Sequence, residues 1–255
     1  MAFKARDHVF IGILALFNFS INYVLIYQSQ VYLTSAMTSI AFSTMLVMNI
    51  LNTRLFFGDP IAPRVYVGAG LGIAGLIALF WNDLSFSENG SIVGLAFGLG
   101  AALVASLGNM ASVRNSRRQL NLFAVNAWGM LYGTVVLAII VVITGQSFST
   151  SWSTTYTASL LYLAVFGTVI AFATYYVLLN DMGPEKASYS IVLFPFVAII
   201  LSSLFEDFVW TTNIFLGFTL VILGNAIILT PSHLMERLHS KISTRKKQTS
   251  LQADN

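Results

Sequence analysis

Residues 91–118 read SIVGLAFGLGAALVASLGNMASVRNSRR. No charged side chain or histidine occurs from Ser91 to Val113, and then Arg114, Arg117 and Arg118 follow within one turn and a half. A bilayer core of about 30 Å needs roughly 20 apolar residues per helix. This stretch is therefore read as a transmembrane helix that ends in basic residues. The same reading extends outward to eight apolar runs. They are Val9–Tyr27, Val31–Leu51, Val65–Trp81, Ser91–Val113, Leu122–Thr144, Ala158–Leu179, Ala187–Phe205 and Ile214–Thr230. Turn residues such as Gly58-Asp59-Pro60 and Asp181-Met182-Gly183-Pro184 separate them. The composition agrees. Charged residues make up 9% of the chain and hydrophobic residues 56%, against about 25% charged in soluble domains.

The basic residues partition by side. If the connections alternate across the membrane, all 13 Lys and Arg fall on one side. The other side receives Asp83, Glu88, Glu206 and Asp207. The positive-inside rule makes the basic side cytoplasmic, with both termini there. Lys4 and Arg6 precede a first run that is too long for a signal peptide. After Pro231, Leu234, Leu238 and Ile242 alternate with Arg237 and Lys241, a pattern suited to an amphipathic helix on an anionic leaflet or to a plain basic tail.

Two stretches resemble each other. Ala36-Met37-Thr38-Ser39-Ile40 leads to Phe56-Phe57-Gly58-Asp59, and Ala187-Ser188-Tyr189-Ser190-Ile191 leads to Phe205-Glu206-Asp207. Val67-Gly68 and Leu71–Gly75 match Leu216-Gly217 and Leu220–Gly224, while Tyr23-Val24-Leu25 matches Tyr176-Val177-Leu178. Runs 1–3 thus pair with runs 6–8. The second repeat has five helices and the first has three. An odd number per repeat inverts their orientation, as in secondary transporters. The expected units are residues 1–83, a partial first repeat of three helices; 84–230, a second repeat of five; and 231–255, a cytoplasmic basic tail.

The pattern resembles the drug/metabolite transporter superfamily, in its EamA branch. The resemblance rests on Tyr32-Leu33-Thr34-Ser35-Ala36, on Asn126-Ala127-Trp128-Gly129-Met130-Leu131-Tyr132-Gly133, and on Phe166-Gly167-Thr168-Val169-Ile170-Ala171-Phe172. It rests further on Gly183-Pro184-Glu185-Lys186-Ala187-Ser188-Tyr189, Pro195 and Gly224-Asn225. It implies an all-α integral membrane protein with a five-plus-five inverted repeat, here expected to lack its first two helices. It also implies a bacterial inner-membrane location and alternating access for a small organic solute. The alternative is a transport-inactive truncated membrane protein or scaffold.

No run carries an ionisable residue at its middle, which removes the usual signal of carboxylate proton coupling. There is no cysteine, no phosphate-binding Gly-rich loop and no catalytic constellation, so neither enzyme chemistry nor a cofactor or metal is expected. Candidate cavity groups are neutral. Asn18 and Asn22 share a helical face, Ser35, Ser39 and Ser43 form a stripe, and Asn109 lies on run 4. Tyr132 and Tyr175 supply phenols, and Pro195 frees a carbonyl near Ile191. The helices that line the pathway in the resembled family favour Asn18, Asn22, Ser39, Asn109 and Tyr175. The serines equally suit simple helix packing. Gly68 with Gly72, and Gly94 with Gly98, have the Gly-x-x-x-Gly spacing of close helix contacts. The expected partners are a small-molecule solute and the lipid bilayer; a homodimer stays open, and no nucleic acid is expected.

The cysteine-free background allows a direct check of orientation. A cysteine replacing Arg117 is expected to react with a membrane-impermeant thiol reagent only after cells are opened; labelling in intact cells would reverse the topology.

Overall fold

The computed structural model describes residues 3–81, 90–145, 152–171, 174, 189–206 and 208–230. They form eight helices: α1 Ala5–Tyr32, α2 Ser35–Phe57, α3 Pro63–Leu79, α4 Ser91–Arg117, α5 Leu122–Ile143, α6 Thr154–Ile170, α7 Tyr189–Phe205 and α8 Thr212–Leu229. Helices α1, α2, α4, α5 and α8 are long and apolar enough to cross a membrane, and α3, α6 and most of α7 are shorter apolar helices. Many large apolar side chains face outward, among them Leu55, Val142, Ile143 and Phe205. Apolar surface on that scale belongs in lipid. The basic tail and the loop carrying Lys186 lie outside the described residues.

The helix limits follow local chemistry. The first apolar run continues to Tyr32, so Val31 belongs to α1 and not, as the run boundaries suggest, to α2. Leu33 is extended, and the Thr34 hydroxyl caps α2 by accepting from the Met37 amide. α2 stops at Gly58, whose φ of 76° suits a residue without Cβ. Pro63 opens α3, where a missing amide hydrogen costs nothing. Asn121, Ser153 and Thr211 cap α5, α6 and α8 through their side-chain oxygens. Two helices tighten or widen along their length. α1 carries a π-helical turn at Phe17–Ile21, and its repeat partner α6 carries one at Leu163–Ile170. α2 breaks at Ser43 and Thr44, whose hydroxyls turn back to the carbonyls of Ile40 and Ala41 at 2.7 Å each. Thr44 stands eight residues after Ala36, as Pro195 stands eight after Ala187 in α7. α2 thus breaks at this position, whereas α7 carries a proline there and runs on as one helix from Tyr189 to Phe205.

Two of the stretches that match in sequence meet in the packing. α3 and α8 run antiparallel in close contact. A Cβ at Gly68 would lie 2.5 Å from the Gly224 carbonyl oxygen, and one at Gly75 would lie 2.7 Å from that of Gly217. By the repeat, Gly217 is the counterpart of Gly68 and Gly224 that of Gly75. The contact is thus self-complementary, the signature of a two-fold axis between the helices. Gly94 and Gly98 also serve packing, against Leu33, Tyr32 and Ala41. Gly72 does not: a Cβ there meets nothing within 4 Å. The working spacing in α3 is Gly68 to Gly75, because two glycines per helix, seven apart, place both contacts on the same side of the crossing.

α4 is the hub of the other helices. Its Ala101, Ala102, Ala105, Gly98 and Gly108 are buried, and it packs on α1 and α2 and touches α5. α7 packs on the first half of α2. A core of Leu33, Ala36, Ile40, Leu76, Phe80, Ile199 and Val221 fills the end remote from the basic residues. α6 has no buried residue.

Gly68→Val and Gly224→Val are expected to force α3 and α8 apart and lower the apparent Tm in detergent by roughly 5 °C or more. Gly70→Ala, at a site open on all sides, should leave Tm unchanged; equal Tm values for all three would refute the crossing.

Candidate functional site

Three amides form a chain through the middle of the helix bundle. Asn18, on the π-helical turn of α1, donates through Nδ2 to Oδ1 of Asn109 on α4 at 2.9 Å. Asn109 in turn donates through Nδ2 to Oδ1 of Asn49 on α2 at 3.2 Å and lies 3.8 Å from the Met45 sulfur. One turn on along α2, Asn52 donates to Ser106 of α4 at 2.9 Å. The fit depends on Gly108, since a Cβ there would land on the Asn18 amide. Ser20, also on the π-helical turn, lies within hydrogen-bond distance of the carbonyls of Ala15 and Gly133, tying α1 to α5.

The chain is not closed. Asn18 Oδ1 and Asn22 Oδ1 are buried without a hydrogen-bond partner, and Asn22 Nδ2 reaches only the Asn18 carbonyl at 3.5 Å. An unpaired buried acceptor costs about 1–3 kcal/mol. The two stand one turn apart on α1, and Asn18 Oδ1 lies against Gly108 of α4.

Among the residues expected from sequence, Asn18, Asn22 and Asn109 come together. Asn49 and Asn52 join them unannounced; Asn49 is an amide in an apolar run, so the argument applied to Asn18 covers it equally, while Asn52 stands just past the end of that run. Ser39 is half-buried and takes part in none of these bonds. The serine stripe divides: Ser43 bonds back to its own helix, and Ser35 turns to Glu206. Tyr132 hydrogen-bonds His8 Nδ1 at 2.8 Å and lies tilted against Trp128, in an apolar cluster with Ile11, Leu14, Ala111 and Val125. It serves the junction of α1 with α5 and not the amide chain. Pro195 is buried within α7. Tyr175 lies outside the described residues.

Ion pairs stand at the helix ends. At the basic end, Asp7 meets Arg114 at 2.9 Å and Arg118 at 3.3 Å, and Arg117 meets Asp59 at 2.5 Å. At the other end, Glu206, just past α7, accepts from the Ser35 amide at 2.8 Å, from the Ser35 hydroxyl, and from Ser202 at 2.6 Å. This carboxylate sits at the N-terminus of α2, where the helix dipole favours negative charge. Partial desolvation pushes its pKa up, but the hydrogen bonds from Ser202 and Ser35 outweigh that and hold it below the usual glutamate range. The contact joins the first repeat to the second on that face. Among the described residues no group of His, Cys, Asp and Glu could hold a metal ion.

The model of the EamA-like transporter family matches residues 2–81 and 92–230. The chain belongs to that family. Relatives of this EamA-like protein include the uncharacterized transporter YoaV of Bacillus subtilis, 24% identical over 201 residues, or 79% of this chain and 68% of that protein. The uncharacterized transporter YvbV of the same organism is 24% identical over 219 residues, 86% of this chain and 70% of its own. The uncharacterized inner membrane transporter YedA of Escherichia coli K12 is 28% identical over 171 residues, 66% of this chain and 53% of its own. One solved structure, "Crystal structure of protein", superposes with TM-score 0.60 at 15% identity, covering 89% of this chain and 79% of that one. That likeness speaks for the fold alone. The EamA-like chain is thus an integral membrane protein of transporter type.

Glu206 yields a pH prediction. A carboxylate with a lowered folded pKa adds stability above its ordinary pKa and loses it as pH falls through the folded value. The Tm difference between the wild type and Glu206→Gln is therefore expected at pH 7, should shrink as pH falls below the ordinary glutamate pKa of about 4.3, and should vanish only once pH is below the lowered folded value; a difference independent of pH would rule out the charged contact.

Proposed function

We propose that the chain is a secondary transporter moving a small, polar, neutral or weakly charged organic solute by alternating access. The unpaired carbonyl oxygens of Asn18 and Asn22 carry this reading. Amides at membrane depth are retained against a desolvation cost, and these two leave acceptors open beside the Asn109–Asn49 chain. A solute with an amino, hydroxyl or amide N–H group meets that need. The described carboxylates, Asp7, Asp59 and Glu206, all stand at helix ends. Facilitated diffusion or exchange thus fits better than proton coupling through a buried acid. The self-complementary α3–α8 crossing supports rocking of the halves about a fixed contact, with the Glu206–Ser35 contact as a closure on one face.

The exposed α6 favours a second reading. Its repeat partner α1 packs on α4 and α5, whereas α6 buries no residue. On this reading the chain is inactive alone and works within an assembly that supplies helices to α6.

Uptake of amino acids, amines and polyols into proteoliposomes tests both. Asn18→Ala and Asn109→Ala are each expected to reduce transport at least tenfold while the protein stays folded in the membrane. Full activity in both variants would remove the amide site. A chain inert towards every solute would sink the first reading for the isolated protein and leave the second.

A further inference from the structure

A cavity lies on the far side of α2 from the amide chain. Its volume is about 420 Å³, within the range of about 300–1,000 Å³ usual for small-molecule sites. Val47, Met48 and Leu51 of α2 wall one side, and Ala69, Gly72, Ile73, Leu76 and Ile77 of α3 the other. Leu95 and Leu99 of α4 with Phe80 close the end remote from the basic residues. Toward the basic end, Leu46, Val65 and Ile228 form an apolar cluster. Leu51, Ile73 and Ile77 are exposed, so the cavity opens sideways into the bilayer.

The lining is nearly all apolar, with one polar group that the helix packing does not use. Asn225 of α8 is 4% exposed, lines the cavity, and has no hydrogen-bond partner for Nδ2. Such a donor in an apolar cleft calls for an acceptor on whatever fills the cleft. Asn225 lies four residues before the end of α8, about 6 Å inside the helix terminus at 1.5 Å per residue. One turn further on, the Ile228 carbonyl accepts from Arg64 Nε at 3.3 Å, so a guanidinium marks the same end. Apolar chain, single acceptor and anionic group, in that order toward the surface, is the chemistry of a bilayer lipid. Gly72 keeps the cleft open, since a Cβ there would meet no atom within 4 Å.

We propose that this cleft is a lipid-binding site: one acyl chain from the leaflet at the basic end lies between α2 and α3, and its ester carbonyl accepts from Asn225 Nδ2. The site is separate from the amide chain, so it stands whether or not the chain transports a solute.

Native mass spectrometry of the purified full chain, titrated with phosphatidylglycerol, tests this, with methyl palmitate and hexadecane as competitors. Gly72→Leu fills the cleft and is expected to reduce phosphatidylglycerol occupancy at least tenfold. Asn225→Leu removes the donor and should weaken phosphatidylglycerol and methyl palmitate about fivefold, in keeping with one lost hydrogen bond, while leaving hexadecane unaffected. Apparent Tm reports whether each variant folds; if Gly72→Leu does not, Asn225→Leu carries the test through the ester-against-alkane difference. Unchanged lipid occupancy in a folded Gly72→Leu, or equal loss of ester and alkane in Asn225→Leu, overturns the proposal. Binding of methyl palmitate without phosphatidylglycerol overturns the assignment to a bilayer lipid.

Discussion

The approach of α3 to α8 through four glycines is the contact on which the arrangement of the two repeats rests. In lipid no hydrophobic force drives helices together, because the solvent is as apolar as the side chains. Association then depends on how closely backbones can meet. Gly68, Gly75, Gly217 and Gly224 allow each carbonyl to reach the facing helix. Since each glycine meets the counterpart of its neighbour, the contact also sets the relation between halves. It inverts one repeat against the other and so sets α2 beside α7.

The polar interior follows a different logic. α4 is lined with alanine and glycine, which brings α1 and α2 close enough for Asn18, Asn109 and Asn49 to share hydrogen bonds. Gly108 makes the room that the Asn18 amide needs. α2 breaks at Ser43–Thr44 and α7 carries Pro195 near mid-length, features at which helices bend.

Helix number was legible in the sequence because hydropathy and bilayer thickness act on each segment alone. Asn18 and Asn109 were legible as candidates because an amide in an apolar run carries a cost wherever it lies; that argument applied to Asn49 also, and only the geometry drew attention to it and to Asn52 just past the run. Features set by two segments at once were harder to read. The use of Gly75 in place of Gly72 depends on the partner helix, as does the pairing of Ser35 with Glu206. Tyr132 looked like a cavity phenol but faces His8, a residue before the first apolar run. The division between α1 and α2 shifted to Leu33, because a cap at Thr34 outweighs the apolar character of Val31 and Tyr32.

The π-helical turn of α1 has a consequence for register. Such a turn holds one residue more than the α-helix around it. The surplus can pass along the helix by exchanging hydrogen bonds one at a time, without any backbone group being exposed to lipid for long. Each step carries the side chains it crosses about 100° around the axis and about 1.5 Å along it. Asn18 and Ser20 stand on that turn, so the extra residue sets the direction in which their side chains leave α1, toward Asn109 for one and the Gly133 carbonyl for the other.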